Sequence, residues 1–163
     1  MPASSLPSDI DILNILATGE VHLEGQFTWG SNYTFLARVR HPGGELPAVY
    51  KPQRGERPLW DFPDGSLAGR EVAAWRTSEL LGWRLVPPTV LRDDGPLGPG
   101  SLQAYLDLDP ERHYFTFSEP EKQGLRPAVV FDLLTNNADR KGGHILLDAQ
   151  GHVVLGEDGL PVF

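Results

Sequence analysis

The sequence predicts an α+β fold in which an antiparallel sheet of five strands carries one helix and leads into a helical region. Three observations predict it. Short segments with every second residue apolar recur from Glu20 to Leu106, a period typical of half-buried strands. Tight turns rich in Gly, Pro and Asn separate the first strands, which makes neighbouring strands antiparallel. A nearly all-apolar segment after Pro127 then indicates a helix.

Composition places the chain among ordinary globular proteins. It has 163 residues, of which 40% are hydrophobic and 22% are charged. These fractions exclude a disordered or fibrous protein, and the length suits one compact domain or a two-lobed unit with a short second lobe. The sequence has no internal repeat.

Charge and hydrophobic patterning exclude two classes of partner. The formal net charge is -8, and the basic residues are scattered, so we expect no extended nucleic-acid binding. The longest apolar runs fall far short of the roughly 20 residues that a bilayer crossing needs. The first eight residues do not resemble a secretory signal, and cysteine is absent. We therefore expect a cytoplasmic protein without a membrane span.

The first part of the chain predicts a helix, five strands and a second helix. Ser8 as N-cap and Gly19 as a stop bound the first helix. The predicted strands are Glu20 to Gly25, Tyr33 to Arg40, Leu46 to Lys51, Thr89 to Arg92 and Ser101 to Leu106. Between the third and fourth strands, the Pro- and Gly-rich segment Pro52 to Gly65 indicates an insertion or a mobile loop. A helix with Ser66 as a possible N-cap then runs to about Leu81 and stops at Gly82.

After a polar connector, Pro127 fits the first position of a helix that continues to Leu134. Because this helix is almost entirely apolar, we expect it to be buried. Asn136 to Gly143 breaks it. Three short strands follow: Ile145 to Leu147, His152 to Leu155 and Leu160 to Phe163. The last of them stops with the sequence, which suggests a chain cut within a sheet.

Lys51 is the first candidate functional residue, because it ends an apolar strand. A desolvated ammonium there is costly unless an anion or a carboxylate faces it. The alternative is a strand-end lysine that extends its charged group to water.

Glu71 is the second candidate. Helical spacing places it on a mostly apolar face of the second helix, where a carboxylate requires a cation. Phosphoryl-transfer enzymes use a helix-borne Glu to hold a Lys against nucleotide phosphates. The alternative is a solvated Glu paired with Arg70 or Arg76.

Asp139 and Lys141 lie in the loop between the apolar helix and a short strand, where both ends of the loop are fixed. An Asp so placed can accept a hydroxyl proton, and Lys141 can neutralise charge on a transferring phosphate. The alternative is a plain Asn/Asp/Gly turn.

A hairpin tip with Gly30, Ser31 and Asn32 is a further candidate, because its backbone N–H groups can cover phosphates. It lacks Walker spacing and a full G-x-G-x-x-G, so an ordinary hairpin tip is the alternative. The histidines show no zinc-ligand spacing, and no G-x-S-x-G elbow is present.

Together these segments resemble the phosphoinositide 3/4-kinase-like superfamily, and more closely an actinobacterial branch of it. The similarity spans about Glu20 to Phe163. The segments that carry it are Ala48 to Pro52, Gly69 to Trp75 and Asn137 to His144. The resemblance implies a protein-kinase-like fold, in which Lys51 contacts phosphate, Glu71 is its helix partner and Asp139 is the catalytic-loop aspartate.

The chain departs from the family pattern at two places. His144 stands where the family has a metal-binding Asn, five positions after Asp139, so His144 is the candidate metal ligand. The second metal aspartate of the family would lie just beyond Phe163, because Asp158 fits a turn better. We therefore expect a truncated chain.

The resulting prediction is an ATP-dependent phosphotransferase with Mg²⁺ or Mn²⁺ and a hydroxyl acceptor of unspecified class. An N-terminal helix (1–18) precedes a kinase-like N-lobe (19–106), and a hinge with the first part of a C-lobe (107–163) follows; ATP would bind between the lobes. The alternatives are a catalytically inactive pseudokinase and an interaction domain without a nucleotide site.

Overall fold

The computed structural model describes residues 9–27, 33–57, 60, 63–138 and 140–156. The elements in chain order are α1 (Asp9–Thr18), β1 (Glu20–Phe27), β2 (Thr34–His41), β3 (Gly44–Pro52), α2 (Leu67–Leu80), β4 (Thr89–Arg92), β5 (Gly100–Ala104), α3 (Glu119–Gln123), α4 (Arg126–Leu134), β6 (Ile145–Leu147) and β7 (Val153–Leu155). Short 3₁₀ turns at Gln53–Gly55, Tyr114–Thr116 and Gly142–His144 lie between them. The chain is thus α+β.

The chain forms two compact units. The first unit comprises Met1–Val72 and Pro88–Tyr105, and the second comprises Ala73–Pro87 and Leu106–Phe163. The predicted domain division at residues 18 and 106 stays a prediction.

The first unit is built on a five-stranded sheet with the strand order β1-β2-β3-β5-β4. Every neighbouring pair is antiparallel, so the predicted five-stranded antiparallel sheet is confirmed. β5 ends at Ala104, two residues before the predicted end. Because β5 lies between β3 and β4, its side chains are the immediate neighbours of those on β3.

One face of this sheet packs against α1. The buried residues of this core are Ile15, Leu16, Ala37, Val39, Leu46, Ala48, Tyr50, Leu102 and Ala104. Alternation along each strand sends every second side chain to this core. The residues that alternate with these core residues lie on the opposite face of the sheet, and Lys51, a predicted functional residue, is one of them.

Arg92 fixes the end of α1 to the sheet. Its buried guanidinium donates from Nη1 to the carbonyls of Leu16 (2.8 Å) and Gly19 (2.9 Å). The same guanidinium pairs with the exposed Asp94, whose pKa is lowered by that hydrogen bond. Since the last carbonyls of a helix lack partners within the helix, Arg92 supplies the donors that α1 needs.

α2 and α4 end by the same backbone device. After α2, Gly82 takes a positive φ of 68°, and the N–H of Trp83 bonds the carbonyl of Ser78 at 3.1 Å. After α4, Asn136 takes a φ of 53°, and the N–H of Asn137 bonds the carbonyl of Asp132 at 2.8 Å. Both are Schellman turns, which need Gly or Asn in the left-handed position. The predicted ends of both helices are confirmed.

α4 itself corrects an expectation. Only Ala128 and Phe131 are buried in it, whereas four apolar residues of the helix are exposed: Val129 (60%), Val130 (43%), Leu133 (76%) and Leu134 (61%). The expectation of a buried helix was wrong because a short helix packed on one side turns only the residues three apart toward the core.

The remainder of the second unit supports α4. Its largest apolar cluster joins Leu85, Val86, Ala128, Phe131 and Leu155. β6 and β7 form the predicted antiparallel hairpin, and the N–H of Leu155 bonds the carbonyl of Leu85 at 2.7 Å. The predicted strand Leu160 to Phe163 lies outside the described residues. In the ranges that the structure describes, no helix combines the length and apolar character that a bilayer crossing requires.

Candidate functional site

The sheet face opposite α1 carries a buried polar group of side chains. Alternation places Val49 and Lys51 of β3 on this face, and the strand pairing sets Gln103 opposite Val49 and Ser101 opposite Lys51. Ser101 and Gln103 are buried. Buried polar residues need hydrogen-bond partners, and Gln103 Nε2 finds one in Thr89 Oγ1 on β4 at 2.8 Å.

α2 brings Glu71 over this face. Lys51 Nζ lies 3.1 Å from Glu71 Oε1, and the two side chains are only 17% and 18% exposed. The hydroxyl of Ser101 donates to the other carboxylate oxygen, Oε2. The structure thus brings together two of the residues singled out in the sequence. The cation that Glu71 contacts is therefore Lys51 of β3.

The segment between β3 and α2 explains why the helix begins where it does. Glu56 accepts from the backbone N–H groups of Leu67 (3.4 Å) and Ala68 (3.2 Å). Ser66 precedes the helix as predicted, but its hydroxyl donates to the carbonyl of Pro63. A carboxylate at a helix N-terminus satisfies free N–H groups and interacts favourably with the helix dipole. Glu56 therefore fixes the end of α2 that precedes Glu71.

A second contact closes the same segment. Gln53 Nε2 donates to the carbonyl of Gly65 at 3.0 Å, and Gly65 has a φ of 75°, which favours glycine. The segment expected to be an insertion or a mobile loop is therefore tied at both ends by side-chain hydrogen bonds. Residues 58, 59, 61 and 62 lie outside the described ranges.

Gly100 allows β5 to approach the end of β3. A Cβ atom at this position would overlap the carbonyl oxygen of Lys51 and lie 2.9 Å from Pro52 Cα. A close backbone approach of this kind requires glycine. The approach fixes Ser101 directly opposite Lys51.

The second unit contains the loop that follows α4, and Asp132 organises it. Arg140 binds Asp132 through two guanidinium nitrogens, with Nε 3.0 Å from Oδ2 and Nη2 2.8 Å from Oδ1. Asn137 Nδ2 donates to Oδ1 at 3.1 Å. The third guanidinium nitrogen, Nη1, donates to the carbonyl of Gly156 at 2.8 Å. We call these four residues the loop clamp. It holds the residues on both sides of position 139.

Lys141 precedes the next turn of the loop, and His144 is the last residue of that turn. Lys141 is exposed and precedes the 3₁₀ turn Gly142–His144. The ring of Phe115 lies on Gly142, where an added Cβ would come within 2.5 Å of the ring. The carbonyl of His144 accepts from the N–H of Gly156 at 2.7 Å. The turn is thus held by contacts from two other segments of the second unit.

Several predicted site residues cannot be placed. Asp139 and the hairpin-tip residues Gly30, Ser31 and Asn32 lie outside the described residues, and their roles stay predictions. Among the described residues, no group of three His, Asp or Glu side chains is arranged to hold a metal ion. The role of His144 as a metal ligand also stays a prediction.

The sequence interpretation missed Ser101, Asp132 and Arg140. The partner of Arg140 is eight positions away across a helix end, so no periodic pattern marks it. Ser101 has no sequence signal at all, because its relation to Lys51 depends on the strand order. Asn137 and Arg140 lie close to Asp139 in the sequence, and two polar side chains in that loop could have suggested a hydrogen-bonded group.

Among known proteins, the chain has a relative of similar sequence. No protein-family model matches it. It is similar to Protein Rv2133c of Mycobacterium tuberculosis (strain ATCC 25618 / H37Rv), with 41% identity over an alignment of 181 residues in length that covers 90% of this chain and 65% of the relative. The chain therefore spans just under two thirds of the length of that relative. The name of the relative states no activity, so any function of the chain rests on the chemistry of its own residues.

Proposed function

We propose that the chain belongs to a kinase-like phosphotransferase that transfers the γ-phosphoryl group of ATP to a hydroxyl acceptor. The observation that carries the proposal is the Lys51–Glu71 ion pair, 3.1 Å long and less than one fifth exposed. The five-stranded antiparallel sheet with a helix across it agrees with a kinase-like small lobe. The resemblance of three separated segments to phosphoinositide 3/4-kinase-like proteins supports the same function.

The energetics of the pair favour a functional role. Partly burying two charges costs desolvation free energy that the Coulomb attraction repays only in part, so an ion pair at this depth adds little net stability over apolar side chains. In protein kinases, however, a strand Lys is held by a helix Glu, and this pairing presents the Lys ammonium to the nucleotide phosphates. Glu71 fixes the direction of the Lys51 ammonium, which is the group that would face an anion.

The loop after α4 supplies the second half of the proposed chemistry. Asp139 would accept the proton of the acceptor hydroxyl as its oxygen attacks the γ-phosphorus, while the bond from that phosphorus to the β,γ-bridging oxygen breaks and ADP leaves. Lys141 would offset charge on the transferring group. The loop clamp restrains the flanking residues, Asn137 and Arg140. A loop held on both sides loses less conformational entropy when it positions its acid.

Mg²⁺ or Mn²⁺ bound with ATP would neutralise charge on the β- and γ-phosphates. His144 is the described residue that the resemblance places at a metal position. Its imidazole nitrogen is a poorer ligand for Mg²⁺ than an amide oxygen, and Mn²⁺ accepts a nitrogen ligand more readily than Mg²⁺ does. The proposal therefore expects activity with Mn²⁺ to exceed activity with Mg²⁺.

Nucleotide binding is the first test. Thermal unfolding of the full chain is measured with ATP and Mn²⁺ or Mg²⁺, since a ligand at 100 times its Kd stabilises the folded state by about 2.7 kcal/mol. We expect a shift in Tm with ATP for the wild type and a smaller one for Lys51→Met. Lys122→Met is the matched control, because Lys122 pairs with Glu119 on the surface of the second unit. Equal shifts for wild type and Lys51→Met would reject the phosphate-binding role of Lys51.

Group transfer is the second test, and it separates the kinase from a pseudokinase. His144, where the resemblance implies an Asn, is the observation that favours a nucleotide-binding module without catalysis. ADP formation is measured for wild type, Asp139→Asn and His144→Asn. A kinase predicts loss of turnover in Asp139→Asn with ATP binding retained. ATP binding without turnover in wild type, combined with turnover in His144→Asn, would identify a pseudokinase.

A further inference from the structure

Ser101 occupies an unusual place beside the Lys51–Glu71 pair. It is 1% exposed, and in the pairing of β3 with β5 it is the direct partner of Lys51. Its hydroxyl donates to Glu71 Oε2, while Lys51 Nζ donates to Glu71 Oε1. The two oxygens of one carboxylate are thus held by facing residues on adjacent strands.

This arrangement restricts Glu71 in a way that the ion pair alone does not. A glutamate has three rotatable side-chain bonds, and a single contact with a flexible lysine leaves its carboxylate free to turn. Ser101 has a short side chain on a central strand, and the close approach at Gly100 fixes the backbone beneath it. Ser101 therefore provides the rigid contact, and Lys51 provides the flexible one.

We propose that Ser101 is a positioning residue for Lys51: its hydroxyl orients the Glu71 carboxylate, which in turn directs the Lys51 ammonium. That the directed ammonium then contacts a nucleotide phosphate rests on the function proposed above. Because one carboxylate accepts both hydrogen bonds, we also expect the Lys51 contact and the Ser101 contact to strengthen each other. Without Ser101, Glu71 would pair with Lys51 in several orientations of similar free energy.

The coupling is measured without any nucleotide. A double-mutant cycle of Lys51→Met and Glu71→Gln in urea unfolding gives the interaction of the pair, once in the wild-type background and once with Ser101→Ala. We expect the pair to change the unfolding equilibrium constant by about tenfold in wild type and by about threefold or less with Ser101→Ala. Equal coupling in the two backgrounds would overturn the proposal.

Two further variants separate positioning from loss of stability. Ser78 is another buried serine, and its Oγ accepts from the N–H groups of Leu85 (2.6 Å) and Val86 (3.3 Å). Ser78→Ala should lower stability and leave the Lys51–Glu71 coupling unchanged. Ser101→Cys keeps the volume but replaces the hydroxyl with a weak donor, so it should weaken the coupling even if Ser101→Ala folds poorly. Retained coupling in Ser101→Cys would contradict the proposal.

ATP binding then tests the link to function separately. We expect Ser101→Ala to weaken ATP binding about tenfold, and to have no further effect once Glu71→Gln is present. If wild type binds no ATP while Ser101→Ala abolishes the coupling, the phosphotransferase proposal fails and the positioning role stands. If ATP binds and Ser101→Ala changes neither the coupling nor the affinity, the positioning role fails alone.

Discussion

The loop clamp makes a quantitative prediction about Asp132 and Arg140. Their side chains are 15% and 17% exposed, and Nη2 lies 2.8 Å from Oδ1. Exposed ion pairs contribute about 0.2–1 kcal/mol, and breaking a fully buried pair costs about 3–5 kcal/mol. For a two-nitrogen contact at intermediate depth we expect a coupling free energy of about 1.5–2 kcal/mol between Asp132→Ala and Arg140→Met.

The single variants should cost more than the coupling alone. Arg140→Met also loses the hydrogen bond to the carbonyl of Gly156, and Asp132→Ala also loses the one from Asn137. Each added hydrogen bond contributes about 1 kcal/mol, so each variant should lower the free energy of unfolding by about 2.5–3 kcal/mol. Urea unfolding at pH 7, followed by tryptophan fluorescence, measures the two single variants and the double variant.

An exposed ion pair in the same unit provides the control. Lys122 Nζ lies 3.0 Å from Glu119 Oε1, with side chains 33% and 83% exposed. The two pairs have similar N–O distances, so burial and the second nitrogen contact account for any difference between them. The control cycle should give less than about 0.5 kcal/mol. If both cycles give the same coupling, the reasoning about the depth of the clamp is wrong.

Three further predictions concern stability. Arg92→Met should cost about 2–3 kcal/mol in urea unfolding because two carbonyls at the end of α1 lose a charged donor, and a cost under about 0.5 kcal/mol would show that the cap is dispensable. Gly142→Ala should cost about 1 kcal/mol by displacing the ring of Phe115, and the cost should vanish in a Phe115→Ala background. The N–H and hydroxyl of Ser118, with Arg112, lower the pKa of Glu121 from its ordinary value. The stability from this carboxylate is therefore present above the pKa of the unfolded state and lost as pH falls through the lowered pKa. An NMR titration should show the midpoint of Glu121 rising in Ser118→Ala, and an unchanged midpoint would refute the capping interaction.

Local signals were sufficient for most of the secondary structure. Alternation predicted all strands of the five-stranded sheet, and Gly82 and Asn136 marked helix ends because only a few residue types adopt the left-handed conformation there. We predict from the sequence only a polar connector where α3 lies. Its signal was nevertheless present: Ser118 and Glu121 form a capping box around Pro120, the S-x-x-E pattern that begins helices.

The environment of Lys51 was only partly predictable, for a topological reason. Helical periodicity put Glu71 on a mostly apolar face of α2, where a carboxylate requires a cation. The kinase-like arrangement, and not the periodicity, predicted that this cation is Lys51, and the structure shows that pair. Ser101 could not be found in the same way, because sequence order suggests that β3 pairs with β4, whereas β5 lies between them. The strand order decides which residue faces Lys51. The spacing of apolar residues along each strand carries no information about the strand order.

The segment after Lys51 leads along the chain to the helix whose Glu71 pairs with Lys51. The chain leaves Lys51, turns at Gln53–Gly55 and reaches Glu56, whose carboxylate holds the start of α2. α2 then carries Glu71 back to Lys51. Because a helix is stiff, its anchored first turn sets the position of Glu71 little more than one turn later. Glu56 holds the start of the helix that carries Glu71, so a substitution that releases this helix start should loosen the ion pair even though both charged residues remain.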